Sequence, residues 1–146
     1  MKNPLLSHPC NCFALRQAAR AATALYDRHL EKAGLGTSQY SLLAVINANP
    51  RISTQELSEL MVMDRTTLVR ALKPLSRDGY IQQLPDAVNS RKLAFSLSDE
   101  GSRKYAEAHG YWLQAQAEFD ASVGKIRAES MRVELLDLTR NQLKAS

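Results

Sequence analysis

Apolar residues recur every three or four positions along most of the chain, which is the spacing of one face of an α-helix. The first such stretch predicts a helix from Pro9 to Ala33, and Gly34 suits the left-handed backbone that ends a helix. A second helix is predicted from an N-cap at Thr37 or Ser38, and it stops before Pro50 because proline disfavours helical geometry in the preceding residue. The pattern therefore predicts a chain that is mainly α-helical.

Two short helices separated by a tight turn follow. Ser53 and Glu56 have the spacing of a capping box at the start of the first. Asp64 is the predicted N-cap of the second, which extends from Arg65 to about Asp78 and is closed by Gly79. Two such helices, the second rich in Arg and Thr, are typical of a helix-turn-helix.

A β-hairpin is predicted directly after these helices. Leu93, Phe95 and Leu97 alternate with other residues at the period of a strand. An earlier strand is predicted over residues 80–84, and the polar segment 85–91 between the two contains the turn. A hairpin in this place forms the wing of a winged helix.

Two further helices are predicted, from Ser98 to Val123 and from Arg127 to Leu143. The expected fold is thus mainly α: a winged helix-turn-helix domain with a two-strand β wing at residues 37–97, and a helical region at residues 1–36 and 98–146. The terminal helices have no other large layer in their own chain to pack against. We therefore expect them to be dimerisation helices of an obligate homodimer.

Composition excludes several classes of protein. With 146 residues, 45% hydrophobic and 23% charged, the chain is expected to be one soluble globular protein. Its longest purely apolar run, Leu42–Ile46, is far shorter than the ~20 residues that cross a membrane. Two cysteines and a polar, proline-containing N-terminus argue against a secreted disulfide scaffold, so a cytoplasmic location is expected.

Enzymatic and metal chemistry have little support in the sequence. The three histidines are dispersed, and neither a glycine-rich phosphate loop nor a plausible carboxylate pair is present. His8, Cys10 and Cys12 lie close together, but no fourth ligand accompanies them at metal-site spacing. We therefore expect neither an enzyme nor a cofactor nor a metal site.

Several motifs in register resemble the MarR family of bacterial transcription regulators. Met63–Leu75 resembles the family's recognition-helix segment, and Gly34-Leu35 with Gln39–Leu43 is similar to its second-helix signature. Asn89–Arg91 and Leu97–Gly101 are similar to its wing and the exit from it. The resemblance implies a homodimeric regulator, a repressor rather than an activator, that binds a palindromic operator in double-stranded DNA and responds to a small aromatic ligand.

In the predicted recognition helix, the polar and cationic residues lie outside the face formed by the leucines. The resemblance implies that the first turns of this helix enter the major groove. Arg70 could bind a guanine edge through two hydrogen bonds, worth roughly 1–3 kcal/mol of discrimination. Arg91 would enter the minor groove, where negative potential concentrates over narrow A·T tracts. The predicted DNA-binding residues are Arg65, Thr66, Thr67, Arg70, Lys73, Arg77, Arg91 and Lys92.

Three residues depart from the family pattern, one of them Ser90, which stands where a second Arg is common. Asn89 stands where the wing usually has Asp, and an amide cannot form the ion pair that stiffens many family wings. Pro74 lies deep in the recognition helix, where it removes one backbone hydrogen bond and predicts a bend.

The start of the first helix resembles the peroxide-sensing OhrR branch of the family. Cys12 occupies the position of its reactive cysteine, Tyr26 that of one of two supporting tyrosines, and Arg16 stands at the other. A thiol near a helix N-terminus, with Arg four residues later, should be favoured as the reactive thiolate. An alternative function is thus an oxidant-sensing repressor that uses Cys12; otherwise the cysteines have no redox role. Because Cys10 is too close to Cys12 for an easy mutual disulfide, a bridge across the dimer is expected instead.

Aromatic residues from three helices, together with nearby cations, could line a cleft that binds an aromatic acid. They could equally be core or dimer packing. A winged helix that only contacts other proteins is a more remote alternative. It would be distinguished by a DNA titration, because its affinity would not depend steeply on salt. The effector and redox candidates are Cys10, Cys12, Arg16, Tyr26, His29, Tyr40, Tyr111 and Trp112.

Overall fold

A computed structural model describes residues 8–143 and shows the predicted order of helices around a small antiparallel sheet. The elements are α1 (Asn11–Leu30), α2 (Thr37–Ala48), β1 (Ile52–Ser53), α3 (Thr54–Met61), α4 (Arg65–Arg77), β2 (Ile81–Pro85), β3 (Leu93–Leu97), α5 (Asp99–Val123) and α6 (Lys125–Asp137). A short 3₁₀ turn, Glu31–Ala33, extends α1, and a π-helical turn, Leu138–Gln142, extends α6. The mainly α, winged-helix fold class is confirmed.

Local capping signals set the ends of the helix-turn-helix. The Glu56 N–H donates to Ser53 Oγ at 3.1 Å, and the Ser53 N–H donates to Glu56 Oε2 at 3.2 Å, so the capping box is confirmed. Asp64 caps α4 as predicted, and Gly34 and Gly79 adopt φ of 75° and 78° after their helices. These left-handed positions favour glycine.

The start of α2 differs from the expectation, since its N-cap is Gly36 rather than Thr37 or Ser38. Thr37 is the first helical residue, and both its N–H and its hydroxyl donate to Asp27 Oδ1, at 2.7 Å and 2.6 Å. The Gly36 N–H donates to Gln39 Oε1 at 2.9 Å. A carboxylate ten residues earlier therefore supplies the cap that the sequence pattern assigned to a local hydroxyl.

The predicted two-strand wing is present, and the sheet contains one further strand that was not predicted. β2 and β3 pair as an antiparallel hairpin, with Gln83 opposite Phe95. The two-residue strand β1 joins the other edge of β3, where Ile52 lies opposite Phe95. The sheet order is therefore β1-β3-β2.

Near Pro74, α4 continues in α-helical geometry as far as Arg77. Although Pro74 cannot donate a backbone hydrogen bond, its own carbonyl accepts one from the Asp78 N–H at 2.9 Å. The last helix begins at Lys125, two residues before the predicted Arg127.

The chain divides into two compact units, of which the larger comprises residues 26–112 and contains the winged helix-turn-helix. Helices α2, α3 and α4 all contribute to its core. The largest fully buried side chains are Leu30, Leu42, Leu43, Ile46, Leu57, Leu68 and Leu75. Because α4 is anchored by one leucine face, its opposite face is left for solvent or a partner.

The other unit comprises the described residues 8–25 and 113–143. Only Ala115 and Ala128 are buried among them. Many of its large apolar side chains are exposed: Leu15, Leu113, Ile126, Met131, Val133, Leu135, Leu136 and Leu143. Among residues 8–143, no helix combines the length and apolarity needed to span a bilayer, and no cluster of three or more His, Cys, Asp or Glu side chains could hold a metal ion.

Candidate nucleic-acid interface

One face of α4 carries exposed polar and cationic side chains. Thr66, Arg70, Lys73 and Arg77 are spaced by four, three and four residues, which keeps them on the same side of a helix. All four are exposed, whereas Leu68, Leu72 and Leu75 on the other side are buried. The helix therefore presents a hydroxyl followed by three cations along roughly three turns.

The first turn of α4 is fixed by its cap. The Thr67 N–H donates to Asp64 Oδ1 at 2.8 Å, and the Thr67 hydroxyl donates to Asp64 Oδ2 at 3.0 Å. These two bonds hold the pKa of the Asp64 carboxyl below its usual range. Thr67 was predicted to contact DNA, but its hydroxyl proton is already committed to the cap.

The cations of this face differ in their protein partners. At the end of the helix, Arg77 Nε donates to Asp78 Oδ1 at 3.4 Å in an exposed ion pair. Because exposed ion pairs are weak, Arg77 can still bind an external anion. Within residues 8–143, Arg70 and Lys73 form no ion pair, so their charges are available to an external anion.

The wing tip, residues 86–92, is a closed loop with two exposed cations, Arg91 and Lys92. The Asp86 N–H donates to the Lys92 carbonyl at 2.9 Å, and the Lys92 N–H donates to the Asn89 carbonyl at 2.9 Å. Asn89 Oδ1 accepts the Arg91 N–H at 3.1 Å. The amide at position 89 therefore shapes the loop through hydrogen bonds rather than through an ion pair.

A groove of about 740 Å³ lies between α3, the start of α4 and the wing. Three predicted DNA-binding cations line it: Arg65, Arg91 and Lys92. The beginning of α3 contributes Thr54 and Gln55, while acidic residues also line the groove, namely Glu56, Glu59 and Asp86. Helix and wing thus border a single open groove whose lining carries cations and carboxylates in equal number.

Two of the predicted effector residues, Tyr40 and Trp112, belong to one aromatic cluster. Their ring centroids are 6.0 Å apart, and Tyr105 stacks on Tyr40 at 5.7 Å. His109 stacks on Trp112 at 5.4 Å, and its Nδ1 is hydrogen-bonded to the Tyr40 hydroxyl at 2.9 Å. Burial, followed by the neighbouring Tyr105, raises the pKa of Tyr40 well above its usual value.

The other aromatic candidates occupy different surroundings in the same unit. Tyr111 lies under Lys32, whose Nζ is 5.9 Å from the ring centroid in a cation–π contact. Tyr26 packs, partly buried, against the hydrophobic core. Sequence reasoning missed Tyr105 and His109, although their positions seven and three residues before Trp112 place them on the same side of α5. The remaining candidate of this group, His29, is partly buried in the last turn of α1.

Both cysteines lie at the start of α1 as exposed, free thiols. Cys10 Sγ accepts a hydrogen bond from the Phe13 N–H at 3.4 Å, so this sulfur occupies the capping position of the helix. His8 stacks on Phe13 at 4.4 Å and accepts the Cys10 N–H at its Nδ1. Arg16, one turn after Cys12, is exposed.

A winged helix with a cationic recognition-helix face and a basic wing defines the class of winged helix-turn-helix proteins. Residues 33–92 match the sequence profile of the MarR family. YybA, an uncharacterised HTH-type transcriptional regulator of Bacillus subtilis, is 34% identical over 87 residues, which are 60% of this chain and 58% of YybA. The chain thus spans less than two thirds of the length of that relative.

Solved structures extend the similarity to almost the whole chain. The transcriptional regulator MosR of M. tuberculosis, in complex with DNA, is 34% identical with a TM-score of 0.80, covering 90% of this chain and 94% of that one. CouR of Rhodococcus jostii RHA1, bound to p-coumaroyl-CoA, shares the fold with a TM-score of 0.75 at 18% identity, covering 91% of this chain and 94% of that one. The chain belongs to the MarR family, whose members are transcription regulators and not enzymes.

Proposed function

We propose that this chain is a cytoplasmic DNA-binding repressor that binds a palindromic operator as a homodimer. The observation that carries the proposal is the exposed row Thr66, Arg70 and Lys73 on α4, a helix whose first residue, Arg65, lines one groove with Arg91 and Lys92 of the wing. Duplex DNA has one negative charge per ~1.7 Å, so its partner needs cations that follow the backbone and polar groups that reach base edges. MosR, which shares 34% identity, was crystallised with DNA, and this supports the same partner here.

Each side chain has an expected contact. Arg70, in the second turn of α4, reads a base edge in the major groove, and Thr66 offers a hydroxyl to a phosphate or a base. Lys73 and Arg77 lie further along the helix and bind phosphates. Arg91 reaches the minor groove, and Arg65 and Lys92 line the groove between helix and wing.

Pairing with a second copy is supported by the unit of residues 8–25 and 113–143. Ile126 is 84% exposed and Val133 59% exposed, although large apolar side chains are normally buried. A second copy would cover these side chains and place two α4 helices about one DNA turn, or ~34 Å, apart. Such an arrangement matches an operator with two-fold symmetry.

A small aromatic acid is the proposed releasing ligand. Tyr111 and Trp112 are both partly exposed, and Lys32 lies above Tyr111, so these residues offer the two groups that such a ligand needs, a π surface and a positive charge. A ligand releases DNA only if it binds more tightly to a dimer whose recognition helices no longer fit the operator.

The test is a titration of operator DNA, followed by fluorescence anisotropy, with the parent protein, Arg70→Ala and Arg91→Ala. Both variants should bind the operator more weakly, but only Arg70→Ala should lose preference between the operator and a base-substituted site. Affinity equal to that of the parent for both variants would rule out the proposed interface. A winged helix that contacts only proteins would in addition lack a steep dependence on salt.

Oxidant sensing is a second candidate, favoured by the two exposed thiols and by the hydrogen bond from the Phe13 N–H to Cys10 Sγ. A thiolate would attack an oxygen of an organic hydroperoxide, release the alcohol and become a sulfenic acid. A thiol of the other protomer would then form a disulfide with loss of water. If operator release by hydroperoxide persists in both Cys12→Ser and Cys10→Ser, this candidate is wrong; if Cys12→Ser abolishes it, Cys12 is the reactive residue.

A further inference from the structure

The wing tip is organised by one carboxylate, that of Asp86, which was not among the predicted site residues. Its Oδ1 accepts two backbone hydrogen bonds, from the Val88 N–H at 2.8 Å and the Asn89 N–H at 3.1 Å. These two bonds, together with the nearby charges of Lys92 and Arg51, hold the pKa of the Asp86 carboxyl below its usual range. The carboxylate thus closes the turn that leads to Arg91.

The base of the same loop is braced from another part of the chain. The Arg51 guanidinium donates from Nη2 to the Pro85 carbonyl at 3.2 Å, where β2 ends. The Arg51 N–H donates to Ser96 Oγ at 2.9 Å, and Thr54 Oγ1 donates to the Leu93 carbonyl at 3.3 Å. The residues flanking β1 therefore hold both strands of the hairpin just below its tip, at Pro85 and Leu93, and hold β3 again at Ser96.

We propose that Asp86 is a positioning residue for DNA binding: it holds the wing tip in the conformation that directs Arg91 and Lys92 at the duplex. The proposal rests on the proposed function and assigns a role to a residue that cannot itself contact a phosphate favourably. Asn89 extends the hydrogen bonds of the turn to Arg91, because its Oδ1 accepts the Arg91 N–H at 3.1 Å.

The sign of the effect distinguishes positioning from simple electrostatics. Asp86 lines the same groove as Arg65 and Arg91, so its negative charge opposes the approach of DNA. Removal of that charge alone should strengthen binding. If Asp86 positions the wing, its removal weakens binding, because a mobile tip no longer holds two cations against the duplex.

The experiment compares operator affinity over a range of salt concentrations for Asp86→Ala, Asp86→Asn and Glu59→Ala, with thermal unfolding followed for each. Glu59 is the matched control, since it lines the same groove but its carboxylate accepts from Gln55 at 3.2 Å rather than from the wing. Asp86→Ala should bind about three- to tenfold more weakly than the parent, and its slope of log affinity against log salt should decrease by about one for each phosphate that the wing no longer reaches. Glu59→Ala should bind at least as tightly as the parent.

Asp86→Asn provides the rescue, because an amide oxygen accepts both backbone hydrogen bonds without the charge. It should bind as tightly as the parent or more tightly. In a background that carries Arg91→Ala and Lys92→Ala, Asp86→Ala should cause no further weakening. Binding of Asp86→Ala equal to or tighter than that of the parent overturns the proposal, as does an equal weakening for Asp86→Asn. If the parent binds no DNA at all, the proposed function fails instead.

Discussion

Gly101 in α5 lies against the backbone carbonyl of Tyr80: a Cβ atom at position 101 would be 1.9 Å from the Tyr80 oxygen. The same carbonyl accepts the Ser98 N–H at 3.0 Å, and Ser98 Oγ accepts the Gly101 N–H at 3.0 Å. The start of α5 is thereby fixed to the residue that precedes β2. The wing and the helix that leaves it are joined at a point with no room for a side chain.

Gly101→Ala should therefore destabilise the fold. Overpacking against a backbone atom costs typically about 1–3 kcal/mol, which exceeds the gain of about 0.5–1 kcal/mol that alanine brings over glycine in a helix. The matched control is Gly110→Ala in the same helix, where a new Cβ would meet nothing within 4 Å. The control should be more stable than the parent by about 0.5–1 kcal/mol. Urea unfolding measures both changes, and shifts of the same sign would contradict this packing.

The two adjacent threonines of α4 should separate stability from DNA binding. Thr67→Val removes the hydroxyl that donates to Asp64, so it should lower the melting temperature. Thr66→Val should leave the melting temperature nearly unchanged, because within residues 8–143 its hydroxyl has no such partner, and weaken operator binding by about two- to tenfold. The interpretation is wrong if both variants melt like the parent, or if Thr66→Val binds the operator normally.

The Tyr40 hydroxyl should contribute to stability through His109. Tyr40 is only 5% exposed, and Tyr40→Phe leaves the Nδ1 atom of His109 without its hydrogen-bond partner while the stacked ring is kept. A decrease of about 0.5–1.5 kcal/mol in the free energy of unfolding is expected. Tyr111→Phe keeps its ring under Lys32 and should be nearly neutral. Equal denaturation midpoints for parent and Tyr40→Phe would contradict the role of this bond.

Stability should fall in alkaline solution through the same tyrosine. Burial and Tyr105 raise the folded-state pKa of Tyr40 above the usual value of about 10. Below about pH 10 the Tyr40 hydroxyl keeps its proton in both the folded and the unfolded chain, and its contribution to stability is complete. Above that pH the unfolded chain releases the proton first, so the free energy of unfolding decreases as the pH rises. Urea midpoints between about pH 8 and about pH 11 should decline more steeply for the parent than for Tyr40→Phe. Parallel curves would show that Tyr40 ionises normally.

The features predicted correctly are those whose cause is local in sequence. Ser53 and Glu56 lie three residues apart, and the side chain of each accepts the backbone N–H of the other. Asp64 caps α4 by accepting a backbone N–H from the first turn of the same helix. Glycines 34 and 79 adopt the left-handed backbone that side chains disfavour. The leucine face of α4 likewise follows from helical periodicity, which left the opposite face to be interpreted as the DNA-binding surface.

The features missed depend on contacts between distant residues. Asp27 caps α2 through Thr37, and the strand Ile52–Ser53 is too short to show alternation and exists only because β3 offers it an edge. Asp86 resembles an ordinary turn residue in the sequence, since its role appears only when the loop closes from Asp86 to Lys92. The partnership of Tyr40 with His109 joins α2 to α5 across 69 positions of sequence.

The most direct test of the proposed function is the selection of binding sites from a random pool of duplex DNA, followed by titration of the selected site at several salt concentrations. We expect an inverted repeat whose half-sites are about one helical turn apart, bound by two copies of the chain, with affinity that falls steeply as salt rises. If no sequence is enriched and the protein leaves duplex DNA unbound even at low ionic strength, α4 and the wing do not form a DNA-binding surface.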